Sequence, residues 1–354
     1  MIDRPETIEL LIRGANAGGA LLLSGAMLSL KPFNWRAGLG ALFVVSAACY
    51  VLASSPKIIA AFGVLFTPLH VLSICAAVFF WWFSLALFDD GFRWRWPLLI
   101  PLAMTAPLVV ANFVLPREPS PLWSGALWLS RAAFVFGYGH AIYTAIRFAN
   151  DDLMEGRRRF RFVFAIAVAI MGLIVIYAES TGLDEGNPRG LMLLQASAIA
   201  ALTFGLGLWL INGGFDVLKA PSLTPLSAPE ETAPSLAPAD RAAYETLMRL
   251  MGEGVYREEA LSVAGLAAKV GVAEHQLRRL INGELGFRNF SAFLNSYRIE
   301  DAKKALADPA QARRQVLQIA LDVGFGSIAP FNRAFKEATG ATPTEYRRSA
   351  GVDG

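Results

Sequence analysis

Leu206-Gly207-Leu208-Trp209-Leu210-Ile211-Asn212-Gly213-Gly214-Phe215-Asp216-Val217-Leu218-Lys219-Ala220-Pro221-Ser222-Leu223-Thr224-Pro225 is the stretch on which the reading of this chain turns. Ahead of it lie about seven long apolar stretches; behind it the composition becomes that of a water-soluble chain. Over 354 residues, 55% are hydrophobic and only 17% charged, which is outside the usual range of soluble domains. Most of that apolar surplus therefore has to face lipid.

A hydrocarbon core about 30 Å thick needs about 20 apolar residues per spanning helix. Spans are expected near 8–30, 37–55, 62–88, 96–115, 122–148, 161–180 and 190–212, giving a seven-helix transmembrane domain over 1–215. Arg13 and Asn16 interrupt the first, and Pro97, Pro101 and Pro107 should kink the fourth. Asp3, Glu6 and Glu9 spoil the basic leader of a cleaved signal peptide. One alternating set of loops carries Lys31, Arg36, Arg93, Arg95, Arg147, Arg157, Arg158, Arg159, Arg161 and Lys219, while the other holds only Arg4, Lys57, Arg117 and Arg189. Basic loops stay on the cytoplasmic side, so the N-terminus is expected outside and the C-terminus inside a cytoplasmic (inner) membrane. Trp35, Trp94 and Trp96 fall at the inner boundary and Trp123 at the outer, as interfacial anchors do.

Ionisable and amide side chains at membrane depth are costly and tend to face the bundle interior. Arg13, Asn16, His70, Asn112, Arg131, Glu179 and Gln195 fall toward the outer half of their spans, with His140 deeper. Converging, they would form a ligand-sensing pocket for a small polar or anionic molecule. Alternatively Arg13 snorkels, Glu179 ends its helix and the rest tie helices together. Cys49 and Cys75 lie in apolar stretches and give neither a disulfide framework nor a metal cluster. No metal, cofactor or catalytic residue is expected: there is no nucleophile-and-base pairing and no phosphate-cradling glycine loop.

From 216 to 239 the chain reads as a spacer, with Pro221, Pro225, Pro229, Pro234 and Pro238 among Ala, Ser and Thr. In polyproline geometry the part from Lys219 to Ala239 would reach roughly 60 Å. Residues 240–350 then read as a small all-helical domain. Asp240 is the expected N-cap of a helix to about Met251, and Ser262 caps the next, which Gly271 ends. A second helix follows from about Ala273 to Asn282 with Leu277, Leu280 and Ile281 inward. Ala267, Gly271 and Leu277 are spaced as a helix-turn-helix requires: a small residue at the crossing, a glycine for the left-handed turn, a large apolar clamp. The pattern recurs at Ala320, Gly324 and Phe331, with a turn one residue longer. The two units, about 262–282 and 315–336, are joined by an amphipathic helix whose apolar face is expected to hold Phe290, Phe293, Leu294, Tyr297 and Leu306.

The run Leu266-Ala267-Ala268-Lys269-Val270-Gly271 to Gly283-Glu284-Leu285-Gly286, then Tyr297-Arg298-Ile299 and Ala302, then Ile319 to Phe325 and Phe331-Asn332-Arg333-Ala334-Phe335-Lys336, closing with Gly340-Ala341-Thr342-Pro343-Thr344-Glu345-Tyr346-Arg347, resembles the DNA-binding domain of AraC/XylS-type transcriptional regulators. The resemblance covers about 255–348 and stops short of the apolar half. It implies that the second helix of each unit enters a major groove, the pair reading neighbouring segments about one helical turn apart. Double-stranded promoter DNA and RNA polymerase are the implied partners. On the first such helix His275, Gln276, Arg278 and Arg279 are the candidate DNA contacts. On the second they are Ser327, Ile328, Asn332 and Arg333, with Ser327 as N-cap and Pro330 in the first turn. Ile328 and Ala329 weaken hydrogen-bonded readout and leave apolar contact with thymine methyls or mainly phosphate positioning, and Arg333 could equally make a phosphate contact or an internal salt bridge. Residues 240–354 hold sixteen Lys and Arg against fourteen Asp and Glu, so binding should depend on salt without a strongly basic clamp.

These readings combine into an all-α, membrane-embedded, one-component transcription regulator answering an unidentified small-molecule or membrane signal. Tethering in the bilayer would favour a homodimer by raising effective concentration. The competing reading is a membrane transporter or enzyme whose DNA-binding domain controls its own expression. An odd span count shows no inverted repeat.

Overall fold

The computed structural model describes residues 4–31, 34–90, 92–114, 120–180, 188–214, 218 and 238–351; for a few helical residues, Glu179 among them, it describes the backbone alone. The expected spacer therefore lies almost wholly outside the described residues. The described chain is all-helical, and it divides into two compact units, one of Met1–Ala149 with Arg159–Pro221, the other of Asn150–Arg158 with Ser222–Gly354.

The first unit holds α1 (Arg4–Leu28), α2 (Trp35–Ala53), α3 (Pro56–Phe62), α4 (Thr67–Ile74), α5 (Ala76–Phe88), α6 (Ile100–Val114), α7 (Pro121–Arg147), most of α8 (Glu155–Ser180) and α9 (Pro188–Trp209). Asn34 opens α2 by accepting from the Ala37 amide at 3.0 Å. The helix then packs against α1, α4 and α5, making it the centre of the unit. Five helical stretches among the described residues are long and apolar enough to cross a membrane: Thr7–Leu28, Trp35–Ala53, Pro56–Ile74, Trp96–Phe113 and Leu193–Asn212. Seven were expected. The expected span 62–88 is divided at Cys75 into α4 and α5, a break that uninterrupted hydropathy cannot reveal. α7 has the length but carries Arg131 and His140 within it. Of the expected prolines, Pro107 lies inside α6, while Pro97 sits in the 3-10 turn Trp96–Leu99 ahead of it.

The second unit holds α10 (Pro238–Gly252), α11 (Val263–Val270), α12 (Glu274–Gly283), α13 (Phe290–Ala307), α14 (Val316–Asp322), α15 (Ile328–Thr339) and α16 (Pro343–Ser349). It has two cores. Leu247, Leu266, Leu277, Ile281, Phe290, Phe293 and Leu294 belong to the first; Ile299, Ala302, Leu306, Ile319, Phe331 and Phe335 to the second. α13 feeds both. At 3.6 residues per turn Leu306 lies roughly half a turn round the helix from Phe290, so the single apolar face expected for this helix is in fact two half-length faces on opposite sides. Asp240 is also corrected: α10 begins at Pro238, where a proline sacrifices no helical donor, and Asp240 lies in the first turn.

Candidate nucleic-acid interface

Each helix pair is built on a left-handed glycine. Ser262 accepts from the Gly265 amide at 3.0 Å to open α11, and Gly271, at φ +80, ends it by donating to the Ala267 carbonyl at 2.9 Å. A side chain at 271 would meet open space, so the backbone angle alone demands glycine there. Gly324 is held twice over. Its φ is +97, and a Cβ would lie 2.8 Å from the Arg257 carbonyl oxygen. The second turn is thus pressed against the short 3-10 turn Val255–Arg257.

A cluster around that turn ties the pairs together. Arg298 of α13 is buried, donating to the Tyr256 carbonyl at 2.7 Å and the Glu258 carbonyl at 3.0 Å while its guanidinium lies 5.5 Å over the Phe325 ring. Burial pulls its pKa down. Burial alone would raise the Asp301 carboxyl, but hydrogen bonds from Tyr256 and Arg257 hold it below the usual carboxylate range.

On α12, Leu277, Leu280 and Ile281 face inward as expected. His275 and Arg279 are exposed. Gln276 donates to Asp240 at 2.9 Å, and Arg279 reaches the same carboxylate at 3.3 Å. Arg278 departs from expectation. It is only 3% exposed, pairs with Glu274, and donates to the carbonyls of Asp152 at 2.5 Å and Asn150 at 2.8 Å. A guanidinium so placed offers no outward fork to a base or phosphate. Sequence gave no warning, because the carbonyls come from more than a hundred residues upstream.

On α15, Phe331 and Phe335 fill the second core while Asn332 and Arg333 are exposed. Ser327 occupies the N-cap position in extended geometry, but its side chain makes no capping bond. Ile328 packs partly against the second core, which withdraws much of it from any groove. Lys336, not among the expected contacts, is exposed one turn beyond Asn332 and Arg333. The helical spacing of i, i+3 and i+4 was the signal for it. Among the described residues none of these three side chains makes a hydrogen bond or ion pair within the chain.

In the first unit, the candidate sensing residues separate into groups. Arg13, 0% exposed, pairs with Glu9 at 2.9 Å, donates to Ser54 Oγ at 2.6 Å and bonds the Val51 carbonyl. Gln195 donates to the Tyr50 hydroxyl at 2.6 Å, bringing it to the same end of α2. Asn16 is buried, and neither of its side-chain polar atoms has a hydrogen-bond partner among the described residues. His70 meets Phe113 edge-on, beside Asn112, whose amide donates to the Leu108 carbonyl. Arg131 lies over Trp128. Glu179 ends α8, its side chain outside the described residues.

Residues 266–349 match the family model of a helix-turn-helix domain. Over 89 residues the chain is 40% identical to an uncharacterized HTH-type transcriptional regulator of Staphylococcus aureus strain MSSA476, covering 25% of this chain and 11% of that protein. Over 93 residues it is 34% identical to the transcriptional regulator Rob of Salmonella typhimurium strain LT2, covering 26% of this chain and 31% of Rob. The chain thus spans about a tenth of the first relative and under a third of the second. No solved structure matches it. The matches fall on the C-terminal unit, and with its geometry they make residues 266–349 similar to the helix-turn-helix domains of transcriptional regulators.

Proposed function

We propose that this chain is a membrane-embedded one-component regulator in which two helix-turn-helix units, α11/α12 and α14/α15, read promoter DNA under the control of the apolar first unit. The observation that carries the DNA-reading half is the α15 face: Asn332, Arg333 and Lys336 stand exposed on the second helix of a left-handed-glycine turn. Asn can pair adenine, and Arg can grip guanine or a phosphate. His275 and Arg279 extend the interface on α12.

The membrane half is supported by large apolar side chains left outward on the first unit: Leu22 is 78% exposed, Val64 88% and Ile211 74%. In water such surfaces associate; in lipid they are solvated. Trp35 and Trp96 are also exposed and lie close in sequence to Arg36, Arg93 and Arg95, as an inner-leaflet belt requires. This supports a cytoplasmic C-terminal unit; an RNA polymerase partner and a pairing of two chains in the bilayer belong to the same reading. Sensing is assigned to Arg13 and Asn16 of α1: Arg13 is held at the end of α2 by Val51 and Ser54, and one turn further along α1 Asn16 is buried with no hydrogen-bond partner for its amide among the described residues. A small polar ligand bonding that amide would favour one arrangement of the helices.

The test is chromosome-wide mapping of DNA bound by the full-length protein, with membrane fractionation of the same cells. Discrete promoter peaks, lost in an Arg333→Ala/Lys336→Ala double variant, are expected from protein that stays with the membrane after an alkaline wash. Peaks indifferent to the double variant would remove α15 as a reader, and release by the wash would remove the membrane assignment.

A further inference from the structure

The stretch between α7 and α8 does more than join them. Asn150–Arg158 belongs to the second unit and is fastened to its first helix pair. Leu153, 2% exposed, is part of the first core, with Leu247, Leu277 and Phe290. The Leu153 amide donates to the Arg288 carbonyl and the Phe290 amide to the Asp151 carbonyl, both at 2.9 Å, on either side of an antiparallel bridge between Asp152 and Asn289. The Asp151 carboxylate accepts from the amide and hydroxyl of Ser291, at 2.9 and 3.0 Å, in the first turn of α13. Arg278 is taken up by the carbonyls of Asn150 and Asp152. The Asp152 carboxylate is itself held by Arg157 at 2.6 Å, both side chains fully buried.

Two of these positions are ones a duplex would use. An arginine on the second helix of a helix-turn-helix reaches bases or phosphates, and amide and hydroxyl donors at a helix N-terminus bind phosphate. Here carbonyl oxygens satisfy the arginine and a carboxylate satisfies the helix end. A phosphate and the Asp151 carboxylate cannot share Ser291, since two like charges at that separation repel strongly.

We propose that Asn150–Met154 is an intramolecular competitor of DNA, masking Arg278 and the start of α13 while docked, so that both helix pairs engage a duplex only after its release. The proposal rests on the DNA-reading function above. Because the segment is continuous with α7 and α8, a change in where those helices end acts on the clasp directly. If the released form is about one molecule in a hundred, apparent affinity falls about a hundredfold, and a signal that frees the clasp restores it.

A reversible lock tests this in the full-length chain in lipid nanodiscs. Asp151→Cys with Ser291→Cys replaces a hydrogen-bonded pair by one that oxidation can close; Cys49 and Cys75 are buried in the first unit. The probe is a random-sequence duplex pool, from which fragments retained by the reduced protein are recovered and used for affinity measurements. Closure of the disulfide, read by mass, is expected, and the oxidised form should bind the recovered duplexes at least tenfold more weakly than the reduced form. Failure to close would mean that 151 and 291 are apart and would overturn the docking. Equal affinities in the two forms would overturn the competition while leaving the DNA-reading function standing. Retention of no duplex by either form would overturn that function, and the proposal with it. In the unmodified chain, adding a recovered duplex should speed hydrogen exchange at the Leu153 and Phe290 amides; unchanged or slower exchange counts against release.

Discussion

The two helix pairs of the second unit share a plan and differ in what their second helices meet. On α12, three of the four candidate contacts have partners inside the chain: Arg278 with the Asn150 and Asp152 carbonyls and with Glu274, and Gln276 and Arg279 with Asp240. On α15, Asn332, Arg333 and Lys336 stand exposed, with no hydrogen bond or ion pair from these side chains among the described residues. The same motif thus presents one committed face and one open face. Motif spacing specifies the fold of a reading helix, and the side chains around it decide whether it is available to read.

The turns offer the sharpest way to break this comparison. Gly271→Ala meets only the backbone penalty of a left-handed angle, about 1–2 kcal/mol. Gly324→Ala adds a collision with the Arg257 backbone and should cost more than about 3 kcal/mol. Denaturant unfolding of the two variants checks the order, and equal losses would mean that the second turn is not pressed against residues 255–257. The open face predicts the next effect. Arg333→Ala should weaken DNA binding by about 1–3 kcal/mol, and Lys336→Ala should lower the slope of affinity against salt by about one phosphate contact. Titrations at several salt concentrations separate the two, and a flat response at both positions would close the open face.

The caps differ in the same way as the faces. Ser262→Ala removes a bond to the Gly265 amide and should cost about 1 kcal/mol; Ser327→Ala removes none and should change thermal stability little. The smallest effect lies at the joint. Asp301 is ordinarily a group of pKa 3.8 and is held lower when folded, so its contribution is fully present above that value and is lost as pH falls through the folded value. Its Arg257 partner is 55% exposed, so solvent screens the pair and Asp301→Asn should cost roughly 1 kcal/mol or less at neutral pH. The loss should fade in acid unfolding measured below the ordinary value.

Much of this was legible because local chemistry dictated it. The Ser262 cap, the Gly271 stop and the Leu277 clamp lie within sixteen residues, and each acts through neighbours in sequence. α10 begins three residues earlier than an Asp240 N-cap implies, because an acidic residue suits both the cap and the first turn, and Pro238 is the better marker. The face switch of α13 is written in the five-residue step from Leu294 to Ile299, which a single-face reading overlooks. The break at Cys75 and the fate of Arg278 left no local trace: one lies in unbroken hydropathy, the other depends on Asn150 and Asp152. Sequence periodicity records the face a helix buries, and says nothing of which distant loop comes to cover the other.

Leu153 gives the second unit an unusual genealogy. The hydrophobic interior of its first half is completed by a leucine made long before the rest of that interior leaves the ribosome. A polypeptide started at Pro238 would inherit α10 to α16 yet carry a leucine-sized hole, and Arg278 would lose two of its acceptors. Such a fragment should melt earlier than the same helices in the whole chain, and should recover when a peptide spanning 150–158 is supplied in trans.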